Sequence, residues 1–220
     1  MANLRVTERD LALIGEVLRW GALPIEQLAA WYFDADRTAA NRVTRLKHAG
    51  YLTTVREGRH VVVTTTRAGA KLRQDLRLPW RERPWQSLEH HLAVVRVAAQ
   101  LLEADGQAMW ITERELLNEQ LQHARDSGGR LRVGLGRRAD GILVSGTGEW
   151  TAIEAELHRK PRLVYERIMS WYLAQSSGTY RSVRWYVSGR ALGTRLESVI
   201  NQFALQDFVS VWSLPHARSG

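Results

Sequence analysis

Cysteine is absent from this sequence of 220 residues. That excludes a disulfide framework, cysteine-ligated zinc, an iron–sulfur cluster and a thiol nucleophile. Lysine is nearly absent: Lys47, Lys71 and Lys160 are the only three. No apolar run reaches the ~18 residues that a membrane span needs. The N-terminal residues lack the apolar stretch of a signal peptide. A cytoplasmic chain with no membrane partner is expected.

Arginine is abundant instead. The 31 basic side chains outnumber 23 acidic ones, for a net charge of +8. Arginine suits bidentate contacts to phosphate and guanine, although arginine richness also follows GC-rich coding. Position adds information. Residues 1–87 carry 15 basic and 9 acidic side chains, whereas residues 88–220 carry 16 and 14. The positive field is concentrated in the first part of the chain, as expected of a module that meets nucleic acid. The length, at ~100–200 residues per domain, allows one or two domains.

Thr7-Glu8-Arg9-Asp10 precedes apolar residues at Leu11, Ile14, Val17 and Leu18, the pattern of a capped amphipathic helix ending at Gly21. Pro24 opens a second helix with Ile25, Leu28 and Ala29 inward. Asp34-Ala35-Asp36 offers a turn and cap for a third helix to Ala49, with Ala39, Val43 and Leu46 inward. Thr38, Asn41, Arg42 and Arg45 then share one exposed face. Tyr51–Val55 and His60–Thr64 are rich in β-branched residues, and Arg56-Glu57-Gly58-Arg59 reads as the hairpin turn between them.

Three short helices followed by a basic hairpin resemble a winged helix-turn-helix domain over residues 5–76. The motifs are Ile25–Ala29, Asn41–Leu52 and the hairpin end Thr66-Arg67-Ala68-Gly69. The resemblance implies that the third helix enters the major groove of double-stranded DNA, with Thr38, Asn41, Arg42 and Arg45 reading bases. Lys47, Arg56, Arg59 and His60 become phosphate contacts. The alternative is a protein-docking domain with a solvated basic face.

Residues 77–87 hold Pro79, Trp80, Pro84 and Trp85 and read as a linker. Beyond it, residues 88–220 alternate helix and strand patterns. A helix from Ser87 to Glu103 and a strand at Met109–Thr112 are followed by a helical stretch from Glu113. Strands follow at 138–144 and 150–157, then a helix from Pro161 with Val164, Ile168, Trp171 and Tyr172 on one side. A strand at 183–187, a helix at 194–204 and a strand at 208–212 finish the chain. That order predicts a mixed α/β sheet covered on both faces.

One chemical constellation lies in that order. Asp140 begins one strand, and Glu154 and Glu156 project from the same face of the next. Asp140 and Glu154 on adjacent strands are candidate oxygen ligands for Mg²⁺ or Mn²⁺, which would activate water against a phosphodiester. Lys160 and Tyr165 follow.

The stretch Arg138–Gly141 and Ala152–Lys160 resembles the PD-(D/E)xK, restriction-endonuclease-like fold over residues 88–213. The whole chain looks similar to the replication-relaxation family of plasmid and mobile-element proteins, whose acidic signature corresponds to Asp140, Glu154, Glu156, Lys160 and Tyr165. Two departures stand out: Ala139 replaces the proline before the aspartate, and Glu156 replaces the lysine two after the glutamate. The fold class expected is α+β or α/β: a winged helix at 1–76, a linker at 77–87 and a nuclease-like domain at 88–220.

Other signals are rejected. Gly134-Leu135-Gly136 fits a dinucleotide fingerprint by letter, but a strand pattern follows where a helix is required. His90 and His91 are adjacent, so they point to different helix faces and pack or hydrogen-bond rather than pair on a metal. Gly-x-Ser-x-Gly and His-Glu-x-x-His are absent. The resemblances imply a sequence-specific DNA-binding protein of a plasmid or mobile element. It would regulate transcription, replication or transfer and need no cofactor to bind DNA. Its second domain would serve a homodimer or contacts with replication or transfer proteins. The alternative is a metal-dependent endonuclease or nickase using Asp140, Glu154, Glu156 and Lys160.

Overall fold

The computed structural model describes residues 5–33, 35–126, 138–176 and 178–216. Two units divide between Leu88 and Glu89.

In the first unit, α1 (Glu8–Trp20) begins at a capping box. The Thr7 side chain accepts from Asp10 N, and the Asp10 side chain accepts from Thr7 N. Gly21 ends the helix. β1 (Ala22–Leu23) is too short for period-2 patterning to reveal and was not anticipated. α2 (Ile25–Tyr32) takes Pro24 as its N-cap, and α3 (Asp36–His48) takes Ala35, with no side-chain bond at either cap. Asp34, expected in that turn, lies outside the described residues. Ala39, Val43 and Leu46 are buried, so the inward face of α3 is the one its 3.6-residue period predicts.

β2 (Leu52–Glu57) and β3 (His60–Thr65) form the hairpin, and β3 lies between β1 and β2, antiparallel to both. Glu57 pairs with His60 across a two-residue turn, where Gly58 at φ 57° takes the left-handed position that side-chain-bearing residues avoid. α4 (Arg67–Leu72) is capped by Thr66, whose hydroxyl accepts from Gly69 N. Residues 77–87, expected as a linker, have no helix or strand and fall within the first unit. Trp80 Nε1 donates to Thr65 O at 2.9 Å, and the Arg67 guanidinium sits over the Trp80 ring.

The second unit holds α5 (Leu88–Ala104) from its second residue onward, then β4 (Met109–Thr112), α6 (Glu113–Asp126), β5 (Gly141–Val144), β6 (Trp150–Glu156), α7 (Arg162–Gln175), β7 (Ser182–Val187), α8 (Arg190–Gln202) and β8 (Val209–Ser213). The sheet order is β4-β5-β6-β7-β8. The first two pairings are antiparallel and the last two parallel, so the sheet is mixed. All of β5 and five consecutive residues of β6 are buried, which requires cover on both faces. One core packs Tyr165, Ile168, Met169 and Tyr172 of α7 and Leu196, Val199 and Ile200 of α8 on Ala152, Val183, Trp185 and Val187 of the sheet.

Some boundaries differ from expectation. α6 is a full helix because Thr112 and Glu115 form a capping box: Glu115 N donates to Thr112 Oγ1, and Thr112 N donates to Glu115 Oε2 at 2.9 Å. α8 starts at Arg190, ahead of the expected Thr194, with Gly189 as its uncapped N-cap. The glycine-rich segment 127–137, which contains Gly134 and Gly136, lies outside the described residues.

Candidate nucleic-acid interface and acidic cluster

The exposed side of α3 carries Thr38, Asn41 and Arg45. They are accessible because Ala39, Val43 and Leu46 turn the opposite side into the core. Arg42, expected beside them as a base reader, is a correction. Its Nε donates to Asp10 Oδ1 at 2.5 Å, a terminal nitrogen bonds Asp10 Oδ2, and another bond reaches Arg5 O. Asp10 is 1% exposed. Burial pushes its carboxyl up, but bonds from Arg42 and Thr7 outweigh this and hold it below the ordinary carboxylate value. Arg42 is therefore spent on joining α3 to the start of α1.

The remaining basic candidates surround the hairpin. Arg56 and Arg59 are exposed beside its tip. Lys47 Nζ donates to Thr54 Oγ1 at 3.0 Å, which ties the end of α3 to β2. His60 is half-buried, opposite Glu57.

In the second unit Asp140, Glu154 and Glu156 are each engaged by protein groups. Asp140 Oδ1 lies 3.2 Å from His90 Nε2, and its Oδ2 accepts from Ala155 N at 2.8 Å. Asp140 raises the His90 pKa above the ordinary 6.5, against the opposing effect of burial. Glu154, 2% exposed, accepts from Tyr172 OH at 2.5 Å. Glu156 pairs with Lys160 Nζ at 2.6 Å, so Lys160 reaches back to the strand it follows. Tyr165 OH accepts from Lys160 N at 2.9 Å and fixes the turn between β6 and α7.

This arrangement does not fit the expected metal site. Both Asp140 oxygens and one Glu154 oxygen already accept hydrogen bonds. Among the described residues no group of three or more Asp, Glu or His side chains could hold a metal ion. The expected strand placement is present, with Asp140 immediately before β5 and Glu154 and Glu156 on β6. The partners His90, Tyr172 and Lys160 turn those acids inward. Tyr172 was anticipated only as part of an apolar helix face; its spacing of seven from Tyr165 marks the same face, but nothing in sequence marks its bond to Glu154.

No family model matches the chain, and no curated protein matches it. Among solved structures, it is similar to the crystal structure of RV1404 from Mycobacterium tuberculosis. The identity is 14%, with a TM-score of 0.30, covering 58% of this chain and 78% of that one. It is also similar to TrmBL2, an archaeal chromatin protein described as having a novel mode of DNA binding. Here the identity is 12%, with a TM-score of 0.23, covering 93% of this chain and 74% of that one. No helix among the described residues is long and apolar enough to cross a membrane.

Proposed function

We propose that the protein binds double-stranded DNA through a winged-helix first unit, with α3 in the major groove and the β2–β3 hairpin on the flanking backbone. One observation carries this. Thr38, Asn41 and Arg45 stand exposed on a single side of α3, in the same unit as a hairpin with Arg56 and Arg59 at its tip. A side chain that reads base edges by hydrogen bonds must be free of other partners, and a cation is well suited to hold the phosphate backbone. The excess of basic residues in this part of the chain supplies the attraction.

The second unit is proposed as a restriction-endonuclease-like scaffold in which Asp140, Glu154 and Glu156 serve as internal ties. The strand order supports that scaffold, and the partners of the three acids argue against cleavage. The resemblance to the replication-relaxation family would make the protein a regulator on a plasmid or mobile element.

The test is a duplex titration by fluorescence anisotropy at several salt concentrations. Affinity should fall linearly on a log–log plot, with a slope of ~−0.9 per phosphate neutralised. Affinity that ignores salt would sink the proposal. Incubation of supercoiled plasmid with Mg²⁺ or Mn²⁺ addresses the second unit. Nicking that Glu154→Ala abolishes would replace the scaffold reading with a nuclease.

A further inference from the structure

A cavity of about 480 Å³ opens in the second unit beyond the C-terminal ends of β6 and β7. Its lining comes from Leu157 and Arg159 in the turn after β6, from Ser188 and Gly189 after β7, and from Arg190 and Arg195 of α8. None of its eight lining residues is acidic. Among the described residues, the three guanidiniums form no hydrogen bond or ion pair. Arg195 Nε is fully buried and still lacks a hydrogen-bond partner.

Three arginines without a carboxylate partner thus line one cavity. Elsewhere in the same unit Arg162 pairs with Glu166 and Arg181 with Glu149, and Arg138 pairs with Glu113 although its Nε, like that of Arg195, is buried without a hydrogen bond. A buried donor without a partner costs free energy unless a ligand satisfies it. The wall is also held firmly. Ser188 Oγ donates to Leu157 O at 2.7 Å, and Ser188 N donates to Glu156 O at 3.1 Å. Both turns are thereby locked together, and the hydroxyl is already used, which leaves the arginines as the recognition groups. The volume lies in the range of ordinary small-ligand pockets.

We propose that this cavity binds a phosphoryl group, held by Arg159, Arg190 and Arg195. A phosphoryl group offers three peripheral oxygens and up to two negative charges, matching three separate forks. A carboxylate offers two oxygens and one charge, and would leave one guanidinium unmatched. A free phosphate monoester carries this group whole; the phosphodiester of a nucleic acid strand presents two free oxygens and one charge, and would engage the same arginines more weakly.

The test uses the full chain carrying Arg56→Ala and Arg59→Ala, so that the hairpin tip does not contribute. Inorganic phosphate is titrated at constant ionic strength, with chloride as reference, while the melting of the protein is followed. A ligand that binds only the folded state raises the melting temperature in a saturable way. The expected result is saturable stabilisation by phosphate and not by chloride. Arg159→Gln and Arg190→Gln, both at exposed positions, should each weaken it about tenfold. Arg195→Gln should weaken it further. Identical curves for phosphate and chloride, or unchanged affinity in the Arg159 and Arg190 variants, would overturn the proposal. A competition arm identifies the source. Displacement by an oligonucleotide lacking terminal phosphates assigns the site to a nucleic acid strand. Displacement by a 5′-mononucleotide alone assigns it to a free ester.

Discussion

Arg42 on α3 grips Asp10, the same carboxylate that closes the capping box at the start of α1. One side chain thus orients two helices. The exposed side of α3 is set by a bond on its flank, made 32 positions away in sequence.

Arg42→Ala should therefore behave as a stability variant. It leaves a buried carboxylate with only its Thr7 bonds, at a cost of about 2–3 kcal/mol. The loss should appear in denaturant midpoints measured without DNA. Because the Asp10 pKa is depressed, its contribution is present above the ordinary value of 3.8 and is lost as pH falls through the depressed value. Arg42→Ala should flatten that acid limb. A variant with wild-type stability and weakened DNA binding would return Arg42 to the interface.

Asn41 and Arg45 should separate from Arg56 and Arg59 in kind. Alanine at either α3 position should cost ~1–3 kcal/mol on a preferred site and much less on unrelated duplexes. Alanine at either hairpin position should weaken all sequences alike and reduce the salt slope by ~0.9. Salt-resolved anisotropy on two duplexes distinguishes the two patterns.

His90 gives the second unit a pH dependence of the opposite sign. Its pKa is raised by Asp140, so the stabilisation is complete below 6.5 and is lost as pH rises through the higher folded value. Thermal melts from slightly acidic to alkaline pH should show this decline. His90→Gln and Asp140→Asn should each remove it. A decline that persists in both variants would place its origin elsewhere.

Gly141 lies beneath the ring of Trp110 on the neighbouring strand. A Cβ there would come within 2.2 Å of Trp110 Cζ2. Gly141→Ala should destabilise the protein by about 1–3 kcal/mol through overpacking. Trp110→Leu should make the added methyl cheaper to carry. Additive losses in the double variant would show that the two positions do not meet.

Much of the fold was legible because its signals are periodic and local. Ala39, Val43 and Leu46 mark one side of a helix by spacing alone, and Glu154 and Glu156 mark one side of a strand. Spacing names a face but not a partner. Arg42 shares the α3 period with Asn41 and Arg45, and only the tertiary fold brings Asp10 to it. The acids of β6 illustrate the same gap: their common side was predictable, but Tyr172 and Lys160 at their tips were not. α8 begins at Arg190 rather than Thr194, and Gly189 before it makes no side-chain capping bond that a sequence could announce. The capping box at Thr112 and Glu115 was readable in principle, since Thr-Glu-Arg-Glu carries the spacing it requires.

The two-residue turn at Gly58 has a consequence for how this surface could change over time. Strand side chains alternate, so a turn one residue longer would invert the outward and inward positions of one arm relative to the other. Arg56 and Arg59 would survive in number and the net charge would be identical, yet the side chains of β2 and β3 would no longer share their outward positions. What must persist here is the length of a loop rather than the count of its arginines. A drift in charge can be repaired one substitution at a time, whereas a single insertion disarms the hairpin at once.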